Sequence, residues 1–193
     1  MNEMTPNASC EALVQLKAAL RKNRRDAHHR YFQMATVTAE GHPKNRTVVF
    51  RGFGADDTSL LVITDRRSEK IVELEQNAAV EVAWYFTRTR EQFRISVVTT
   101  CVDYRSQSKE DLALREQVWQ QLSEAARAQF FWRSPGRPVD TGAAAAITDA
   151  PPETFALLKL NPVAIDHLVL SKVQTRRLSQ LKDGRWHEHW VNP

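Results

Sequence analysis

Residues 46–64 read RTVVFRGFGADDTSLLVIT. Two runs rich in β-branched and aromatic side chains, Arg46–Phe53 and Ser59–Thr64, flank Gly54-Ala55-Asp56-Asp57, whose composition is that of a turn. Upstream, Tyr31–Ala39 has the same strand character and stops at Glu40-Gly41-His42-Pro43. Three strands joined by short turns make a meander of hairpins. Downstream, Ala79–Phe86 and Glu91–Tyr104 return to strand; in the second, Phe93, Ile95 and Val97 share one face and Gln92, Arg94 and Ser96 the other. Val163–Leu170, Arg176–Leu181 and Arg185–Val191 close the chain, with Asp183-Gly184 as a hairpin turn.

No alternating βαβ rhythm runs through this pattern, which argues against a parallel doubly wound sheet. The expected fold is mainly β with inserted helices (α+β). Its core is an antiparallel sheet of about six to eight strands, curled into a split β-barrel that disposes of its edges. The helices expected are Glu11–Arg25, with Leu13, Leu16, Ala19 and Leu20 at helical spacing, and a short one opened by Ser68 and ended by Asn77. A long one spans Ser108–Phe131, where Ser108 and Asp111 resemble a capping box, and a short one runs from Pro151 to Leu160. One domain is expected over residues 1–193, with an N-terminal helix and basic stretch over 1–30 and a Gly/Ala-rich mobile loop over 136–150.

The chain has 193 residues, 42% hydrophobic and 26% charged, with 27 Lys plus Arg against 23 Asp plus Glu, a net charge of +4. A chain of this length buries roughly 70% of its unfolded surface and needs neither disulfide nor metal to hold a core. No apolar run approaches the ~20 residues that span a bilayer. The N-terminal stretch has no apolar segment after a basic start, so a cytoplasmic protein is expected. Cys10 and Cys101 belong to no CxxC pair and read as reduced thiols. His187 and His189 share a strand face, but no third ligand accompanies them, so no metal is expected. The basic clusters Lys22–Arg30 and Arg176-Arg177 lack the aromatic pattern of an RNA-binding sheet, and nucleic acid is not an expected partner.

Three segments suit an anionic ligand. Arg46–Arg51 is a strand with cations at both ends; the two have opposite parity, and only a bulge would bring them to one face. Thr64-Asp65-Arg66-Arg67-Ser68-Glu69-Lys70 joins a strand to a helix N-terminus, where free amides, a hydroxyl and an ammonium favour phosphate. Arg90–Arg94 carries the amide of Gln92, which can donate and accept, as a flat heterocycle with imide edges requires.

The order RYFQMATV, NRTVVFRGF, LVITDRRSEKIVELEQNAAVEVAWYF and REQFRISV resembles the pyridoxamine 5′-phosphate oxidase-like FMN-binding split-barrel family, and within it the Alr4036-type FMN-binding domain. FFWRSPGRP and the ending TRRLSQLKDGRWHEHWVNP fit the same pattern. The resemblance implies that Arg46 and the phosphate turn of Thr64, Ser68 and Lys70 hold the FMN phosphate. It implies that Thr47, Val48 and Val49 present backbone groups to the isoalloxazine edge, and that Gln92 contacts the flavin. Arg51 stands where family oxidases carry a lysine near the flavin. The family forms a homodimer with FMN at the subunit interface, and Arg176 or Arg177 is the residue expected from the partner. Trp84, Tyr85 and Trp132 are candidates to stack on the ring. The departures are Glu69 where arginine is common, with Arg66 or Arg67 expected to compensate, and two segments on the substrate side. Phe130–Pro135 replaces a Tyr-Phe-x-Ser-Arg-Pro segment, and Gln174-Thr175-Arg176 replaces Arg-x-His. The resemblance therefore implies an FMN-dependent oxidoreductase acting on an unidentified small molecule. The alternative is a non-catalytic flavin- or haem-binding split-barrel protein, for which His167 or the His187/His189 pair is the source of an axial ligand.

Overall fold

A computed structural model describes residues 10–139 and 146–193. Its elements are α1 (Glu11–Lys22), β1 (Tyr31–Val37), β2 (Pro43–Val49), β3 (Gly52–Phe53), β4 (Leu60–Asp65), α2 (Glu69–Gln76), β5 (Ala79–Phe86), β6 (Glu91–Val102), α3 (Lys109–Gln120), α4 (Glu124–Ala128), β7 (Phe155–Val169), β8 (Thr175–Lys182) and β9 (Arg185–Val191). Among the described residues the nine strands form one sheet in the order β2-β1-β5-β6-β7-β4-β3, with β8 on β7 and β9 on β8. Every pairing is antiparallel.

The terminal strands of this order, β2 and β3, are consecutive in the chain. The sheet must therefore curl until its edges almost meet, which makes it a split barrel. Two devices permit the curl. The register between β6 and β7 shifts at Ser96/Val97, a bulge that bends both long strands. One edge of β7 is also shared, Phe155–Leu160 pairing with β4 and Ala164–Val169 with β8, so the sheet forks there.

The core has two parts. The barrel interior holds Phe32, Met34, Trp84, Phe86, Phe93, Ile95, Leu158 and Leu160, lidded by Leu13 and Leu16 of α1. On the other face of β4 and β7, Leu61, Phe155 and Leu157 pack with Val118 and Trp119 of α3 and with Phe130. The buried guanidinium of Arg115 pins this insert to the start of β7, donating to the carbonyls of Phe155 (3.0 Å) and Pro152 (2.6 Å).

Several sequence expectations change. Residues 151–160 form no helix; β7 begins at Phe155. Phe155 and Leu157 serve one core while Leu158 and Leu160 serve the other, so the strand is apolar on both faces and its period of two is hidden. The run Arg46–Phe53 is two strands, broken at Phe50-Arg51, with Gly52 at φ +142° just beyond the break. Pro43 starts β2 rather than ending a turn, which an edge strand tolerates. The expected helix 108–131 breaks at Ser123, whose hydroxyl caps α4, and ends in a 3-10 turn over Gln129–Phe131. Ser108 caps α3 as expected, but the Asp111 carboxylate accepts from Lys159 (2.7 Å) instead of closing a box. The Asp183-Gly184 hairpin is present, with φ +50° and +72°. Of the loop expected to be mobile, residues 140–145 lie outside the described residues. Beyond them, the Asp149 carbonyl accepts from Trp119 Nε1 at 2.7 Å.

α2 is tied to the sheet by a buried carboxylate. Glu73 Oε2 accepts from Thr36 Oγ1 (2.5 Å) on β1 and Arg46 Nη2 (2.9 Å) on β2. Burial pushes the Glu73 carboxyl up, but the hydrogen bonds from Thr36 and Arg46 together hold it below the ordinary range. A carboxyl lowered in the folded state contributes stability in full above its unfolded value, and that stability is lost as pH falls through the folded value. Glu73→Gln should therefore destabilise the protein by about 1.5–3 kcal/mol near neutral pH. The gap to wild type should close as pH is lowered below about 4.5, the ordinary glutamate region. Urea midpoints of both proteins from pH 3 to 7 check this; a gap that stays constant would rule out the linkage.

Candidate functional site

The curl leaves a cavity of about 430 Å³ at the seam between β2 and β4. β2 contributes Arg46, Thr47, Val48 and Val49, and the break that follows contributes Arg51. β4 contributes Thr64 and α2 contributes Lys70. Phe130, Trp132 and Arg133 approach from the segment after α4. Of the ten residues Arg46, Thr47, Val48, Val49, Arg51, Thr64, Ser68, Lys70, Gln92 and Arg176 that the resemblance sets around FMN, all but Ser68, Gln92 and Arg176 thus line one cavity. Arg46 and Arg51 reach it together because the strand breaks between them, which cancels their opposite parity.

Ser68 lies just behind this wall. Lys70 Nζ donates to Thr64 Oγ1 (2.9 Å) and Ser68 Oγ (3.0 Å), and the Ser68 hydroxyl donates to the Asp65 carbonyl (2.7 Å). Ser68 occupies the N-cap position of α2, but its side chain does not cap the helix. An ammonium, two hydroxyls and the first turn of a helix therefore stand together, the donor chemistry that a phosphoryl group takes. Burial first, and the nearby Arg46 charge second, lower the Lys70 pKa. Of the carboxylates near Lys70, Asp65 is bonded to Arg67 and Glu73 to Arg46. Glu69 is the third carboxylate near it, and Lys70 itself makes no ion pair among the described residues, so its ammonium is open to an external anion.

Arg51 supplies a second signal. Its Nε is buried with no hydrogen-bond partner. Burial, and then the charge of Arg30, lower its pKa. An unsatisfied buried donor on a guanidinium is costly unless a ligand accepts from it. The cavity thus offers the Arg46/Lys70 cluster and Arg51 as separate anion-seeking groups.

Gln92 and Arg176 lie elsewhere in the same chain. Gln92 pairs with Leu168, and Leu168 with Arg176, so the three form a row across β6, β7 and β8 on one face of the sheet. Arg176 donates to Asp166 through Nε (3.0 Å) and Nη2 (2.8 Å), and Arg94 donates to the same carboxylate. Arg177 points the other way, its guanidinium 4.3 Å from the centre of the Trp190 ring.

Three stacking candidates separate cleanly. Trp84 is fully buried and donates its Nε1 to the His29 carbonyl at 3.0 Å. Tyr85 is half-exposed and outside the cavity. Trp132 is 57% exposed and on the cavity wall. Arg66 and Arg67 do not replace the cation missing at Glu69: Arg66 pairs with Asp103 and Glu75, and Arg67 with Asp65. Arg67 instead donates to the Trp132 carbonyl (2.9 Å), holding that residue beside the cavity. That contact joins segments 65 residues apart and leaves no local signal in the sequence. The axial-ligand reading gains no support, since His167 is buried with Nε2 2.9 Å from Glu91 Oε2 and His187 and His189 are exposed. Among the described residues no cluster of three metal-ligating side chains occurs, and no helix is long and apolar enough to cross a membrane.

Comparison with known proteins converges on one family. The family model for the pyridoxamine 5′-phosphate oxidase FMN-binding domain matches residues 12–103. The chain is 33% identical over 187 residues to pyridoxine/pyridoxamine 5′-phosphate oxidase 2 of Arabidopsis thaliana, covering 92% of this chain and 94% of the relative. A pyridoxamine 5′-phosphate oxidase-related, FMN-binding protein of Nostoc punctiforme superposes with a TM-score of 0.88 at 38% identity, over 96% of this chain and 100% of that one. PhzG of Burkholderia lata, solved with tetrahydrophenazine-1-carboxylic acid, shares the fold at a TM-score of 0.79 and 18% identity, over 100% and 98% of the two chains. This chain belongs to the pyridoxamine 5′-phosphate oxidase family of FMN-binding split-barrel proteins.

Proposed function

We propose that the seam cavity binds FMN and that the protein is a cytoplasmic FMN-dependent oxidoreductase acting on a small anionic molecule. The observation that carries this reading is the meeting of Lys70, Thr64, Ser68 and Arg46 at one wall of a cavity that also holds Arg51, whose buried Nε has no hydrogen-bond partner. In this reading Lys70, Thr64, Ser68 and Arg46 hold the FMN phosphate. Thr47, Val48 and Val49 offer β2 edge groups to the ring, and Trp132 shields it. Bound FMN supplies the hydride chemistry. Arg51 is left to orient an anionic group of the substrate. Gln92 and Arg176 lie outside their own chain's cavity, and the row they form suits a homodimer in which one protomer's sheet face completes the other's FMN site.

The visible spectrum of the desalted protein, with and without added FMN, is the direct check. One oxidised flavin per subunit is expected. Reduction of that flavin by a nicotinamide or amine donor separates an oxidoreductase from a flavin carrier. Lys70→Ala removes a charge-assisted hydrogen bond worth about 1.5–3 kcal/mol and should weaken FMN roughly ten- to a hundredfold. Unchanged affinity would remove the phosphate from this site.

The lowered Lys70 pKa adds a pH signature. The FMN phosphate becomes a dianion above about pH 6, and the ammonium is lost as pH rises through its lowered pKa. FMN affinity should therefore fall on the alkaline side earlier than an ordinary lysine, near pH 10.4, would cause. Lys70→Arg stays charged and should extend the plateau. Titrations of both proteins across pH 6–10 test this, and identical profiles would refute the role of Lys70.

A further inference from the structure

A second cavity, about 420 Å³, shares no lining residue with the first. It opens where α1, the β5–β6 turn and the β7–β8–β9 strands meet. Its floor is the pair Glu91 and His167, both buried, with Oε2 and Nε2 2.9 Å apart. The Phe93 ring stacks on the imidazole, centroids 4.2 Å apart and planes within 6°. Burial pushes the Glu91 carboxyl up, but hydrogen bonds from His167 and Thr89 hold it below the ordinary range. The carboxylate on this floor is thus already engaged.

The rim is cationic. Lys22 and Arg177 face the cavity, and neither makes an ion pair among the described residues. Arg176, the neighbour of Arg177 on β8, is by contrast paired with Asp166. The charge of Lys22 also helps lower the Glu91 carboxyl, so a single carboxylate, already bonded to His167, faces two cations from distant elements, and the surplus positive charge in the concavity suits an anion. Arg177 is also held in place, its guanidinium 4.3 Å from the centre of the Trp190 ring. Val169 and the indole of Trp190 give the cavity an apolar wall.

We propose that this cavity is a binding site for a small organic anion, its carboxylate or phosphate head between Lys22 and Arg177 and its apolar body against Val169 and Trp190. The site is independent of the flavin cavity.

Calorimetric titration of the full-length, FMN-saturated protein tests this, with benzoate and phenyl phosphate as probes. Saturable binding of at least one probe at one site per subunit is expected, and the probe that binds identifies the head group. Lys22→Gln and Arg177→Gln should each weaken it at least tenfold, the loss of one charge-assisted contact. Lys70→Ala should leave it unchanged, so loss of FMN and loss of the probe are separable. Thermal melts verify that the variants are folded, and if Arg177→Gln is not, the exposed Lys22→Gln decides. No saturable heat with either probe at millimolar concentration overturns the proposal. So does unaltered affinity in Lys22→Gln and Arg177→Gln.

Discussion

β2 and β3 lie at opposite ends of the strand order, yet only Phe50 and Arg51 separate them in the chain. That covalent link obliges the sheet to roll until its two edges stand side by side. At the join, the Phe50 amide donates to the Arg30 carbonyl and the Arg51 amide to that of Leu61, so the break is anchored on both flanks. Across the break the chain changes ladder partner from β1 to β4, and Gly52, the first residue beyond it, takes a backbone conformation that side chains disfavour. The result is a seam instead of a closed wall, and the seam is where β2 and β4 both face one cavity.

The placement of charge follows from that geometry. Arg46 spans β1, β2 and α2 through Thr36 and Glu73, so the same guanidinium that lines the cavity fixes the helix carrying Lys70. Lys70 in turn cross-links Thr64 and Ser68 across the β4–α2 turn. A chain that keeps two partly buried cations this close must be stabilised by surrounding structure or by a bound anion. The helical insert completes the enclosure. Its second core, around Trp119 and Phe155, sets Phe130 and the segment after it beside the seam, and Arg67 clips Trp132 there.

The rolled sheet also separates two concavities. One lies at the β2–β4 seam; the other lies where β6, β7 and β8 meet the end of α1. Residue parity on β8 decides which of its arginines reaches the second concavity. Arg176 faces Asp166 and the row with Gln92, while its neighbour Arg177 turns toward Lys22 and Trp190.

Much of this was legible in the sequence. Hairpin turns such as Asp183-Gly184, the alternation of Phe93, Ile95 and Val97, and the order of Arg46, Thr64, Ser68 and Lys70 are local patterns set by backbone sterics and side-chain chemistry. They sufficed for an antiparallel barrel, a phosphate-suited turn and the family resemblance. Other features depended on what each segment packs against. The first part of β7, up to Leu160, reads as a short helix because both its faces are apolar and hide the strand period, and only two separate cores explain why. The convergence of Arg46 and Arg51 depends on a break that local propensity does not mark. Arg66 and Arg67 were taken by Asp103 and Asp65, partners that any count of nearby cations overlooks. Residue types and spacing determined the strands, the turns and the donors available for an anion. The tertiary structure alone decided which donors remain unpaired, because pairing is settled by the distances at which packing leaves side chains far apart in the chain.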